Sequence, residues 1–110
     1  LELIKKITTL LSDKLAENIV VIDMRKHISI VDYFIICSVK SERQCRAVSW
    51  YIKEELSKIG IEPQGIEGEQ AGTWIVMDYG DVVLHIFLDA VRVYYDIESL
   101  WSDAKRAIIE

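Results

Sequence analysis

Apolar residues near the start of the chain recur at helical spacing. Leu3, Ile4, Ile7, Leu10, Leu11 and Leu15 share one face, which predicts an amphipathic helix over residues 2–16, ended by Asn18. The β-branched run Ile19 to Asp23 predicts a short strand. A polar connection from Met24 to Asp32, containing Lys26-His27, leads to a second strand, Tyr33 to Ser38, whose composition is that of a buried strand. Ser41 then opens the clearest helix. It is a natural N-cap, and Gln44 three residues on completes a capping box. Cys45, Val48, Ile52, Leu56 and Ile59 form its apolar stripe, Gly60 is the expected stop, and Pro63 prevents continuation.

Beyond Pro63 there is room for a third short strand at Gln64 to Ile66, followed by a glycine-containing loop from Glu67 to Thr73. The run Trp74 to Phe87, WIVMDYGDVVLHIF, then reads as two strands joined by a tight turn at Gly80-Asp81. A two-residue loop sets Tyr79 opposite Val82, Met77 opposite Leu84 and Ile75 opposite Ile86. Because side chains alternate faces along a strand, Ile75, Met77, Tyr79, Val82, Leu84, Ile86 and Leu88 form a core face. Trp74, Val76, Asp78, Val83, His85 and Phe87 form the other, which mixes two large aromatics with a carboxylate and an imidazole. Two readings of that second face stay open. Either a helix covers the aromatics as a second core layer, or Trp74 anchors a protein-binding patch rimmed by Asp78, Asp81 and Glu67.

Asp89 to Tyr95 reads as a turn or short helical segment, and Ile97, Leu100, Trp101, Ala104 and Ile108 predict a final helix. The expected order is α-β-β-α-β-β-β-α. A helix between strands suggests a βαβ crossover, so the fold class is α/β (α+β mixed), a single domain over residues 1–110 with a mixed five-stranded sheet and flanking helices. At 110 residues the chain is long enough to bury roughly two-thirds of its unfolded surface without staples.

Charge changes the picture more than composition does. The net charge is −5, but residues 65–103 hold only Arg92 against Glu67, Glu69, Asp78, Asp81, Asp89, Asp96, Glu98 and Asp103, a local net of −7. Direct binding of DNA or another phosphate backbone wants the opposite sign, whereas an acidic segment suits a basic partner. No apolar stretch approaches the ~20 residues of a membrane helix. No secretory or transit segment is recognisable, although the chain opens on Leu1 rather than Met, which leaves room for an upstream leader. Cys37 and Cys45, one in a strand and one in a helix, read as reduced core thiols of a cytoplasmic protein.

Signatures of catalytic chemistry are sparse in the sequence. His27 and His85 lack metal-ligand spacing to each other or to a cysteine, so no metal or cofactor is expected. Ser38, His85 and Asp78 can be assembled on paper into a triad, but no G-x-S-x-G, GxGxxG or P-loop supports one. Asp78 and Asp81 sit across a turn rather than as D-x-D on one strand, and Asp is common in turns for backbone reasons.

Asp23 and Arg25, Asp32-Tyr33-Phe34-Ile35-Ile36, Ser38, Ser41-Glu42-Arg43-Gln44, Glu67-Gly68, Gly72-Thr73-Trp74, Asp78-Tyr79-Gly80-Asp81-Val82-Val83, His85-Ile86-Phe87, Arg92, Tyr95 and Leu100-Trp101 together closely resemble the ribosomal silencing factor (RsfS, Iojap-like) family, over nearly the whole chain. The resemblance implies a non-enzyme that binds the large ribosomal subunit through its universal protein fourteen (uL-fourteen). It binds at the face that meets the small subunit, blocking subunit joining and damping translation when nutrients are scarce. Organellar relatives act in ribosome biogenesis, and free members form homodimers. The implied fold is nucleotidyltransferase-like without the catalytic motif: the turn Ser38-Val39-Lys40-Ser41 has no glycine, and no D-x-D or D-x-E follows on a strand. Trp74, Asp78, Asp81, Met77 and Tyr79, with Glu67 at the rim and His85 beside them, are the expected partner-binding residues, although Met77 and Tyr79 lie on the opposite strand face from Trp74. A residual nucleotide-binding protein using Ser38, Ser41 and Asp78 is the main alternative. A purely dimeric module that buries the aromatic face between two copies is another.

Overall fold

The computed structural model describes residues 1–106. Its centre is a five-stranded mixed sheet in the order β1-β2-β5-β4-β3, built from β1 (Glu17–Asp23), β2 (Tyr33–Val39), β3 (Gly65–Glu67), β4 (Trp74–Asp78) and β5 (Val82–Leu88). Only β2 and β5 run parallel; β1–β2, β5–β4 and β4–β3 are antiparallel. Between β2 and β5 the chain passes through α2 (Glu42–Ser57) and then β3 and β4, so the expected crossover returns to the sheet by way of an edge hairpin.

One sheet face packs beneath α1 (Glu2–Asp13) and α2. There Ile4, Ile7, Leu11, Ile35, Cys37, Val48, Ile52, Ile75, Met77, Leu84 and Ile86 make the main core. The opposite face carries a smaller core of Ile22, Met24, Ile36, Phe87 and Ala104, partly covered by Phe34, Trp74, Val91, Ile97 and Trp101. α3 (Asp89–Tyr95) and α4 (Ile97–Leu100) lead into this second layer.

α2 begins as its sequence predicts: the Ser41 hydroxyl accepts the Gln44 amide at 3.0 Å. The Gln44 side chain accepts the Lys40 amide at 2.8 Å, and its own amide reaches back to the Lys14 carbonyl at 3.3 Å. The capping residue thus ties the start of α2 to the end of α1. α1 itself stops at Asp13, short of the predicted end. Leu15 leaves the helical stripe in a left-handed conformation, with φ 63°, and is exposed. Ile59 likewise falls beyond the end of α2 and faces solvent.

The larger departure is at the C-terminal end. The final helix predicted from Ile97 onward is cut short: Asp96, at φ 44° and ψ 51°, sets α4 off from α3, and α4 ends at Leu100. α4 is only 4 residues long, and the chain then turns back so that Arg106 bridges Ile22 of β1 and the Asp23 amide donates to the Lys105 carbonyl at 2.8 Å. This pairing at Lys105 and Arg106 satisfies part of the open edge of β1. Ile108, predicted on the final helix, lies outside the described residues.

Candidate functional site

The hairpin forms in the two-residue register. Tyr79 and Val82 close the loop, with the Tyr79 amide donating to the Val82 carbonyl at 2.9 Å, and Met77 pairs Leu84 and Ile75 pairs Ile86. Gly80 carries φ 86° at the first loop position, as a type II′ turn requires. The alternation that follows decides which candidates can meet a partner. Ile75 and Met77 are fully buried, while Trp74, Val76 and Asp78 are partly exposed on the other face. The edge strand β3 extends that face, with Gly65 opposite Asp78 and Glu67 opposite Val76. Paired residues share a face, so Trp74, Asp78 and Glu67 come together as the sequence suggests.

Met77 and Tyr79 are corrected by the same alternation. Met77 has no exposed surface and lies under α2, its sulfur 3.5 Å from the Ser49 hydroxyl. Tyr79 is buried against the main core, and burial pushes its phenol up to about 12. Neither has surface to offer a partner. Asp81 is exposed in the turn, where its carbonyl accepts the Asp32 and Tyr33 amides at 2.8 and 3.0 Å and anchors the start of β2. Asp78, partly exposed, accepts the Gly80 amide at 2.8 Å and so holds the turn.

His85 is also buried, at 7% exposure, in β5 directly opposite Val76. The Trp74 indole N–H donates to its Nδ1 at 3.1 Å. Burial lowers its pKa to about 4, so the imidazole is neutral at neutral pH. Trp74 further stacks on Phe87 at 4.7 Å between ring centres and meets Tyr95 at 5.0 Å, and Tyr95 meets Tyr94 edge-on at 5.0 Å. An aromatic path therefore runs from a fully buried Phe87 out to Tyr94, which is 80% exposed. Phe87 is thus core, and Trp74 lies at the margin of that core.

Tyr94 and Tyr95, with exposed Val93 and Leu100, are the surface residues that sequence reasoning passed over. A signal was present. Three consecutive apolar residues, Val93 to Tyr95, cannot all fall on the one buried stripe of a short helix. What holds them in place was harder to see. Arg92 forms a bidentate pair with Glu98, at 2.8 and 3.1 Å, and donates through Nη1 to the Asn18 carbonyl and the Ser38 hydroxyl, both at 2.8 Å. Arg92 clips α3 and α4 to the ends of β1 and β2, and its hydrogen bonds, backed by its charge, hold the Glu98 carboxyl below the usual range.

The residues of the nucleotide-binding alternative do not converge. Ser38 aligns with Phe87 at one end of β5, whereas Asp78 aligns with Val83 near the other, four residues away or roughly 13 Å along a strand. Ser41 is occupied as a helix cap. The cleft of about 530 Å³ beside Ser38 is lined by Asp89, Asp96 and Glu98 against Arg92 alone, a balance that repels phosphate. Among the described residues no group of three or more His, Cys, Asp or Glu is placed to hold a metal ion, and no helix is long and apolar enough to cross a membrane. Cys37 and Cys45 are buried free thiols, pushed up by burial to about 12 and about 11, hence protonated and inert as nucleophiles at neutral pH.

A family model described as "Ribosomal silencing factor during starvation" matches residues 1–110. The chain belongs to the ribosomal silencing factor family. It is 37% identical over 109 residues to a ribosomal silencing factor of Halalkalibacterium halodurans, covering 99% of this chain and 93% of that one. Its fold matches the crystal structure of a Chromobacterium violaceum protein with a TM-score of 0.89 at 35% identity, covering 99% and 91% of the two chains. A more distant relative, the mouse "Mitochondrial assembly of ribosomal large subunit protein 1", is 30% identical over 102 residues, covering 90% of this chain and 45% of that protein. The α/β fold with its mixed five-stranded sheet is therefore the fold of ribosomal silencing factors, and the Trp74 edge is a surface on that fold.

Proposed function

We propose that this protein is a cytoplasmic, non-catalytic regulator of translation. It binds the large ribosomal subunit through the subunit's universal protein fourteen, at the face that meets the small subunit, and so blocks subunit joining when nutrients are limiting. One observation carries the reading beyond family membership. The Trp74 edge combines a partly exposed indole, continuous with exposed tyrosines, and the carboxylates of Glu67 and Asp78 on one side of an edge hairpin. A Trp anchor with Tyr neighbours is the composition of an interface hot spot, and the acidic rim favours encounter with a basic protein. Steric exclusion needs no turnover, so the strength of silencing follows occupancy. Free copies pair as a homodimer and separate on the ribosome.

The test is to sediment purified large subunits with the protein, then add small subunits and measure joined ribosomes. Joined ribosomes decline in proportion to bound protein. Trp74→Ala, verified as folded by circular dichroism, loses roughly 30- to 1000-fold in affinity, the usual cost of removing a central Trp anchor. Equal binding by a folded Trp74→Ala overturns the assignment of the surface, and unchanged joining at full occupancy overturns the mechanism. The name of the mouse relative favours a second reading, action in large-subunit assembly. Under that reading, depleting the protein leaves immature large subunits while joining of mature ones is unaffected.

A further inference from the structure

We infer that His85 is a positioning residue for the recognition surface, holding the Trp74 indole in its binding-ready orientation without itself meeting the partner. The inference rests on the proposed role of Trp74 as an anchor. An indole N–H can only donate, so the imidazole Nδ1, 3.1 Å away, must be the acceptor, and the ring proton must sit on Nε2. That Nε2 is buried and has no hydrogen-bond partner among the described residues. Its ring lies instead against Phe34, 4.8 Å between centres at 68°. A buried donor without an acceptor is unfavourable for folding, and an apolar side chain of similar size at this position would avoid that. Among the described residues, the one hydrogen bond the imidazole makes is with Trp74.

The geometry gives that contact a purpose. Trp74 begins β4 at the open margin of the second core. Phe87 and Tyr95 press on its ring, but stacking alone leaves an indole free to slide or flip. A single directional hydrogen bond from below, delivered by the strand next door, fixes which edge of the indole faces outward. Ordering the anchor before the partner arrives removes that ordering cost from the binding step.

A structural role and a positioning role predict opposite results for an apolar replacement. His85→Phe removes the acceptor together with the unpaired donor. If positioning is its role, the variant unfolds at the same denaturant concentration as the parent or a higher one, yet binds large subunits about 10-fold or more weakly. The Trp74 indole N–H resonance moves upfield and exchanges faster with solvent, whereas those of Trp50 and Trp101 stay put. His85→Asn, which sets an amide oxygen close to the place of Nδ1, recovers most of the affinity even where it lowers stability. The inference is overturned if His85→Phe binds as tightly as the parent, or if affinity and stability fall together in both variants. Should the parent chain itself fail to bind large subunits, the proposed function falls. The indole resonance then still decides the positioning, which is overturned if that resonance is unchanged in His85→Phe.

Discussion

At the scale of single residues, burial sorts the acidic-aromatic hairpin into parts that can meet a partner and parts that cannot. Trp74, Val76 and Asp78 alternate with Ile75 and Met77, so one strand supplies both a core and a surface. His85 stands between the two, and its titration is a direct readout of its place. In the folded chain burial lowers its pKa to about 4, from an ordinary value of 6.5. Above pH 6.5 both folded and unfolded states leave the imidazole neutral, and the group has no effect on stability. Between pH 6.5 and 4 the unfolded chain takes up a proton that the folded one refuses, so stability falls by about 1.4 kcal/mol per pH unit, and the loss levels off below the folded value. Urea titrations of the parent and His85→Phe across this window should diverge by that slope, and parallel curves would mean that His85 is more solvated than its 7% exposure implies.

At the scale of elements, two local devices set where the anchor sits. Gly68 precedes β4 in a left-handed conformation, φ 87°, and a Cβ there would lie 2.0 Å from the Trp74 carbonyl oxygen. That contact is with backbone, which cannot swing aside. Gly68→Ala should therefore destabilise the fold by roughly 2–4 kcal/mol, through strain and displacement together, and shift the Trp74 fluorescence spectrum. A chemical denaturation midpoint equal to that of the parent would contradict this. The second device is the Arg92 clip. Arg92 is 11% exposed and Glu98 22%, and together with Ser38 and the Asn18 carbonyl they join α3 and α4 to the far ends of two strands. Removing Arg92 leaves the Glu98 carboxylate partly desolvated and without this partner. Arg92→Ala should lower stability by roughly 2–4 kcal/mol, and amide hydrogen exchange should quicken in α3 and α4 before it does in the sheet.

At the scale of the whole molecule, charge and shape act together. A chain of net charge −5 concentrates its carboxylates between residues 65 and 103, and Glu67, Asp78 and Asp81 fall on or beside the β3–β4 edge. Exposed charges of this kind contribute little to folding, as with Lys40 between Glu17 and Asp89. They act instead on encounter rates with a basic partner. Neutralising Glu67 and Asp81 together should slow association with large subunits several-fold at low salt and flatten its salt dependence, with little change in dissociation rate. Stopped-flow binding at several ionic strengths separates the two, and a change confined to dissociation would place these carboxylates inside the contact rather than at its rim.

The sequence by itself determined the strand register of the hairpin, the cap of α2 and the mixed sheet, because each rests on short-range chemistry: alternation, a Gly-Asp turn, a Ser-x-x-Gln start. It also carried the family, through motifs spread in order along the chain. The apolar stripe misled at helix ends, where Leu15 and Ile59 continue the spacing past the last helical turn, and beyond α4, where Trp101 and Ala104 keep helical spacing without a helix. What tertiary structure alone decided is how the second face is finished. The final helix stops at Leu100, Arg106 bridges back to β1, and Arg92 reaches partners 54 and 74 residues away in sequence. Those contacts leave Tyr94 and Tyr95 exposed and Trp74 at the margin of the core. No local pattern records them, since burial at a sheet margin depends on which distant segment lies down beside it.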